Sequence, residues 1–272
     1  MKIDLNDKVT RFLAQEYLNA ILNFQSPAEL GFDVHKLIHT FEVVKVADRL
    51  IELTPKKLSP KLKKQIHRAA LLHDVGRCYE FKDGKPRKGF DHGVYGAEII
   101  KKHFPNLAVE QISTAWHSRR PTDQDPVMAK PVLDYTRDSD MLGNIIYNTE
   151  HISIFLDHIL SSYRNTPDVL TLDPEIQTAT RERRACNYPK MGKLDFLDMM
   201  VAQLLWIYNL KTEAAFRLSK KEKLFPRYRD AVIAKAVPVI VGTQKQRQKA
   251  IDTIIKLFPD TLFDKEFKRH GL

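Results

Sequence analysis

The sequence predicts an all-α protein of 272 residues. Only ten glycines are present, and apolar residues recur mostly at intervals of three and four, which is the spacing of one helix face. Alternating apolar and polar runs, which are typical of strands, are scarce. Apolar residues make up 43% and charged residues 29%, so the composition is that of an ordinary globular protein and excludes disordered and fibrous classes.

The apolar spacing predicts helices along most of the chain. In the first half they cover residues 7–24, 33–53, 60–73, 92–104, 106–118, 126–138 and 140–161. Pro60 suits a helix first turn and therefore opens the third of them. Residues 76–91, with three glycines and a proline, form the one clear polar loop of this half. After a second, proline-marked loop near residue 167, helices are predicted over residues 175–184, 194–211, 227–241 and 243–258.

The positive charge is concentrated near the carboxyl end. The net charge is +10, and residues 211–272 hold 15 basic and 7 acidic residues, a net of +8. Such an excess favours anionic partners, including nucleotides and phosphate esters. Basic clusters at 220–223 and 245–249 could also contact nucleic-acid phosphates, although a solvated basic helix face is the simpler interpretation. We expect a helical core over residues 1–165 and a basic, helical C-terminal extension over residues 166–272.

Several functional classes lack support in the sequence. Cys78 and Cys186 are too few for a disulfide framework. No export leader and no apolar stretch near 20 residues is present, so we expect a cytoplasmic protein without a membrane partner. Neither a phosphate-binding glycine loop nor a serine nucleophile elbow occurs.

One set of residues points to metal chemistry. His73 and Asp74 follow the apolar run of residues 69–72, where a predicted helix opens into a loop. His39 lies on a predicted helix whose apolar positions imply burial, and Asp140 lies on another buried stretch. Buried imidazoles and carboxylates need a partner. Two of each suit a divalent transition ion such as manganese, zinc, iron, cobalt or nickel better than magnesium.

The order His39, His73-Asp74, Asp140 resembles the His…His-Asp…Asp signature of the HD superfamily, whose members are helical metal enzymes and mostly phosphohydrolases. The three motif neighbourhoods fall within residues 33–143. The resemblance implies an HD-type helical bundle core. It also implies that these four residues hold a metal ion.

His92 and His117 lie between the second and third motifs, where binuclear HD proteins place histidines. The resemblance therefore implies a second ion on these two residues, with Asp74 bridging both ions. Several relatives carry a His-His pair where this chain has His117-Ser118. A site with one ion is therefore the alternative.

The resemblance predicts hydrolysis of a phosphate ester or anhydride by metal-bound hydroxide, with a small phosphorylated substrate of which a nucleotide is the favoured kind. Asp74 would be central to catalysis. Fixed cations are needed for the phosphoryl charge, and the nearest candidates are Arg77, Lys36 one turn before His39, and Arg119-Arg120. We favour Arg77 and Arg119, each of which lies within four residues of a predicted ligand. Each of these cations could instead be a solvated surface charge.

Two other functions remain open at the level of sequence. Some HD relatives use a six-ligand set as a di-iron oxygenase, so this chain could activate dioxygen. A catalytically silent regulatory protein that binds a nucleotide is the third hypothesis, and a homo-oligomer is compatible with all three.

Overall fold

A computed structural model describes residues 6–119, 124–162, 172–186, 196–240 and 242–272. These residues are mainly helical, which confirms the predicted all-α class. In this part of the chain, the strands β1 (Phe81–Lys82) and β2 (Lys85–Pro86) form one short antiparallel pair. The chain divides into two compact units, Met1–Asn144 and Ile145–Leu272. The predicted boundary between residues 165 and 166 lies outside the described residues.

The first unit is built from helices that begin at sequence-encoded caps. Ser26 and Ser59 each accept a backbone N–H at the start of a helix that carries proline in its first turn, and Asp91 does so without proline. The helices are α1 (Lys8–Leu22), α2 (Pro27–Leu53), α3 (Pro60–Leu72), α4 (His92–His103), α5 (Ala108–Trp116) and the long α6 (Lys130–Ser162), which continues into the second unit.

Two local predictions differ from the structure. The predicted helices over residues 126–138 and 140–161 are one helix, α6, because no glycine or proline separates them; within α6 the backbone leaves helical geometry at His151. The predicted loop over residues 76–91 contains part of a 3-10 helix, Val75–Tyr79, and the β1–β2 hairpin. This 3-10 helix follows His73 and Asp74 directly and therefore sets the direction in which the chain leaves them.

The second unit contains shorter helices. They are α7 (Pro174–Glu182), α8 (Phe196–Gln203), α9 (Glu213–Glu222), α10 (Leu224–Ala231), α11 (Val237–Ile240), α12 (Gln244–Leu257) and α13 (Asp260–Arg269). A 3-10 helix, Leu204–Asn209, follows α8, and a π-helical turn, Val232–Ala236, joins α10 to α11. The sequence did not predict α9 and α13. Both are short and rich in charged residues, so their apolar faces are narrow.

Each unit has its own apolar core. In the first unit the last turn of α3, residues 69–72, is buried throughout, which fixes the residues that follow it. In the second unit Phe225, Tyr228 and Phe263 are among the largest fully buried side chains. Of the helices described, none has the length and apolar character needed to cross a membrane.

Candidate metal centre

Five helices of the first unit bring the six predicted metal ligands together. Five of these six residues are buried, and Asp140 is partly exposed. The six are His39 on α2, His73 and Asp74 directly after α3, His92 at the start of α4, His117 directly after α5 and Asp140 on α6.

Asp74 lies between two histidine pairs. Its Oδ1 atom is 3.3 Å from His92 Nε2 and 3.5 Å from His117 Nε2. Its Oδ2 atom is 3.5 Å from His73 Nε2 and 3.8 Å from His39 Nε2. One carboxylate oxygen therefore faces each pair, which is the arrangement of a bridging ligand.

Asp140 belongs to the side of the cluster that holds His39 and His73. Its Oδ1 atom is 3.0 Å from His39 Nε2 and 3.7 Å from His73 Nε2. Asn144, one turn further along α6, donates to the same oxygen at 3.0 Å. Sequence reasoning missed Asn144, although its spacing of four residues from Asp140 on a predicted helix is a signal that could have found it.

Backbone carbonyl groups orient two of the imidazoles. His73 Nδ1 is 2.8 Å from the Ala70 carbonyl oxygen, and His117 Nδ1 is 2.7 Å from that of Thr114. Each Nδ1–H must donate there, so in the neutral ring the Nε2 lone pair points into the cluster. Such an outer hydrogen bond is how proteins fix a histidine for metal binding.

The donor set fits a divalent transition ion. The Nε2 atoms of His92 and His117 are 3.2 Å apart, and those of His39 and His73 are 3.4 Å apart. Nitrogen atoms that face each other this closely, beside the carboxylates of Asp74 and Asp140, need a proton or a cation between them. Imidazole and carboxylate ligands are the ones that zinc, manganese, iron, cobalt and nickel accept.

Charges around Asp74 keep it ionised. Asp74 as a whole is 2% exposed. Burial opposes ionisation, but Lys36, His73 and Arg77 hold the pKa of Asp74 well below its ordinary value. Burial also lowers the pKa of His92 to about 3. The site therefore offers a carboxylate and a neutral imidazole at neutral pH, the protonation states that a metal requires.

The predicted cations have different positions. Arg77 Nε lies 3.4 Å from Asp74 Oδ1, and Arg77 Nη1 donates to Glu80 at 2.6 Å. Lys36, which sequence reasoning ranked lower, is closer to the centre, with Nζ 3.0 Å from Asp74 Oδ2. Lys36 reaches Asp74 from α2, one turn before His39.

Arg119 lies further out among the described residues. Its side chain is 44% exposed, stacks over the Trp116 ring at 4.7 Å and lies 3.8 Å from Asp91. No hydrogen bond or ion pair joins it to the six clustered residues in the described part of the chain. Its role as a phosphate-binding residue stays a prediction.

Close packing holds the two halves of the centre together. A Cβ atom on Gly76 would lie 2.1 Å from the His92 carbonyl oxygen, so only glycine allows the segment after Asp74 to meet the start of α4. On the other side of α5, the buried Arg137 guanidinium donates to both oxygens of Asp125 and to the Trp116 carbonyl, next to His117. The positions of His92 and His117 thus depend on contacts outside the cluster itself.

Comparison with protein families gives one match. Residues 37–146, which are 110 of the 272 residues, match the model of the HD domain. This region contains all six clustered residues. Comparison with curated proteins and with solved structures found no match to this chain.

Proposed function

The chain belongs to the HD superfamily of metal-dependent phosphohydrolases, and on that premise we propose that it hydrolyses a phosphate ester or anhydride in a small molecule, with nucleotides the favoured class. The observation that carries the proposal is the two-sided Asp74 carboxylate with two cations beside it. One oxygen faces His92 and His117, and the other faces His39 and His73.

The residues that would hold the first ion are His39, His73, Asp74 and Asp140. A second ion would be held by His92, His117 and the other oxygen of Asp74. A divalent ion held by these residues would lower the pKa of a bound water molecule and polarise a phosphoryl oxygen of the substrate. The two separate faces of Asp74 favour two ions over one.

The cations of the chain would bind the phosphoryl group. Lys36 and Arg77 are 13% and 23% exposed, so both remain accessible from outside while contacting Asp74. Glu80 holds the Arg77 guanidinium through Nη1, which limits the positions it can adopt. A phosphoryl dianion beside Asp74 would thus meet one fixed guanidinium and one ammonium, the groups that proteins use to neutralise phosphates.

These two cations favour a phosphorylated ligand over a neutral one. The six-ligand set alone suits a di-iron oxygenase equally well. An oxygenase of a diol gives no reason for two partly exposed cations at the centre, whereas an oxygenase of a phosphonate would use them, and oxygen consumption distinguishes it from a phosphohydrolase. A regulatory protein that only binds a nucleotide would use the same cations, and turnover distinguishes it from an enzyme.

The test is phosphate release by protein reconstituted with manganese. Substrates would be p-nitrophenyl phosphate and a panel of nucleoside mono-, di- and triphosphates. We expect release that depends on added metal. Arg77→Gln should lower kcat/KM about 10- to 100-fold, the loss of one charged hydrogen bond, without changing the metal content.

Lys82→Gln is the matched control. Lys82 is an exposed cation on β1, a few residues after Arg77, and this substitution removes the same charge as Arg77→Gln. It should leave kcat/KM unchanged. Equal losses in both variants would show that Arg77 acts only through net charge. Oxygen consumption with bound iron, and no phosphate release from any substrate, would replace the proposal with the oxygenase.

A further inference from the structure

A cavity of about 330 Å³ lies within the second unit, formed by the end of α7, the 3-10 helix after α8, the end of α12 and the start of α13. Its lining contains four cationic side chains and no acidic one. These cations are Arg181, Arg183, Lys256 and Lys265. A concave surface with charge of a single sign attracts ions of the opposite sign.

Three of the four charges are not neutralised within the described part of the chain. Arg183 forms an ion pair with the buried Glu266, so its charge is balanced. Arg181, Lys256 and Lys265 form no ion pair with a described residue. They leave a net charge of +3 on the cavity wall, more than a single carboxylate ligand would need.

The start of α13 lies at the same cavity. Pro259, at its N-cap, supplies no side-chain cap, and Thr261 in the first turn lines the cavity. The first backbone N–H groups of a helix have no partner within the helix, and they favour negative charge. Tyr208 contributes a half-buried aromatic ring to the wall. The wall therefore combines cations with aromatic and aliphatic surface, the latter from Leu257 and Leu262.

We propose that this cavity is a second ligand site, which binds a small organic polyphosphate. The charge of +3 matches the two to four negative charges of a di- or triphosphate group, and lysine and arginine are the usual ligands of such groups. The volume falls within the range of pockets that hold small organic ligands. All of its lining residues belong to the second unit, so the proposal does not depend on the function of the metal centre.

The test is calorimetric titration of the full-length protein with inorganic pyrophosphate, in a chelating buffer that keeps metal out of the first unit. We expect one equivalent to bind per chain. The double variant Lys256→Gln/Lys265→Gln should bind about tenfold more weakly, since each partly solvated charge contact contributes a few-fold. ATP should displace the pyrophosphate, because the proposed ligand is a polyphosphate with an organic group and ATP would occupy the same cations.

The control variant is Lys220→Gln/Lys221→Gln, which removes the same charge from exposed positions on α9. It should bind pyrophosphate as the wild type does. Equal weakening in both double variants would show diffuse attraction to a basic surface, as in nucleic-acid binding, and would overturn the proposal. Unchanged affinity in Lys256→Gln/Lys265→Gln, or no displacement by ATP, would overturn it as well. Thermal unfolding of all variants shows that each is folded.

Discussion

Replacing Gly76 with alanine perturbs the metal centre without touching any of its ligands. Gly76 lies two residues after Asp74, where the chain crosses the first turn of α4. A Cβ atom there would be 2.1 Å from the His92 carbonyl oxygen, 2.9 Å from the Gly96 nitrogen and 3.0 Å from the His92 carbonyl carbon. All three neighbours are backbone atoms, so no side chain can rotate away.

The geometry sets the size of the effect. Ordinary contact begins near 3.4 Å, so the segment after Asp74 and the start of α4 must separate by about 1 Å. Overpacking of this kind costs about 1–3 kcal/mol. For a unit of 144 residues that loss lowers the Tm by about 4–10 °C. The same displacement exceeds the tolerance of about 0.2 Å in metal–ligand distances, so His92 should no longer bind together with Asp74.

The assay is thermal unfolding together with metal content per chain. Gly76→Ala should show the lower Tm and lose the ion held by His92 and His117, while the ion held by His39 and His73 remains. Gly242→Ala is the control, since a Cβ atom there would approach only the flexible end of Gln246. A Tm within 1 °C of the wild type, with unchanged metal content, would refute this account of the packing.

Three further predictions concern the surroundings of the centre. Arg137→Ala should lower the free energy of unfolding, measured by denaturant titration, by about 3–5 kcal/mol, because the buried Asp125 carboxylate loses its guanidinium partner. The double variant Arg137→Met/Asp125→Leu should recover much of this loss. No recovery would argue against the ion pair as the cause. Burial raises the pKa of Asp33 to about 7. Between pH 4 and pH 7 the Asp33 carboxyl group is therefore protonated more fully in the folded than in the unfolded state. Its contribution to the stability of the fold falls as the pH rises through this range. Asp33→Asn should therefore be more stable than the wild type at pH 8, by up to about 4 kcal/mol, and equal to it at pH 3.5. Equal stability of the two proteins at both pH values would contradict the shift. Lys36→Gln should lower kcat/KM for a phosphorylated substrate about tenfold at unchanged metal content, and a loss of metal would show that Lys36 supports the ligands instead.

The positions of four clustered residues could be predicted from local sequence, whereas His92 and His117 were implied only by the family resemblance. His73 and Asp74 follow a helix whose last turn is entirely apolar, so the burial of α3 fixes both residues. His39 is buried among apolar neighbours, and a buried polar side chain needs a partner. Asp140 is partly exposed but lies beside the buried Ser139 and Leu142 on α6. The helical class followed from apolar spacing in the same way.

The remaining features depend on contacts that sequence spacing does not encode. Lys36 and Asp74 are 38 residues apart, and their ion pair results from the packing of α2 against α3. Helix α13 is strongly charged, so its apolar periodicity is weak, and burial of Phe263 and Phe267 in the second unit fixes it instead. The cationic cavity needs four separate segments to meet, which no local motif could reveal.

Metal stoichiometry tests the central claim most directly. The wild type, Asp74→Ala and His92→Ala/His117→Ala would each be reconstituted with manganese, freed of loosely bound metal and measured by elemental analysis. Because Asp74 presents one oxygen to each histidine pair, we predict two equivalents in the wild type, one in the double histidine variant and none in Asp74→Ala. Equal metal content in the wild type and Asp74→Ala would contradict the account.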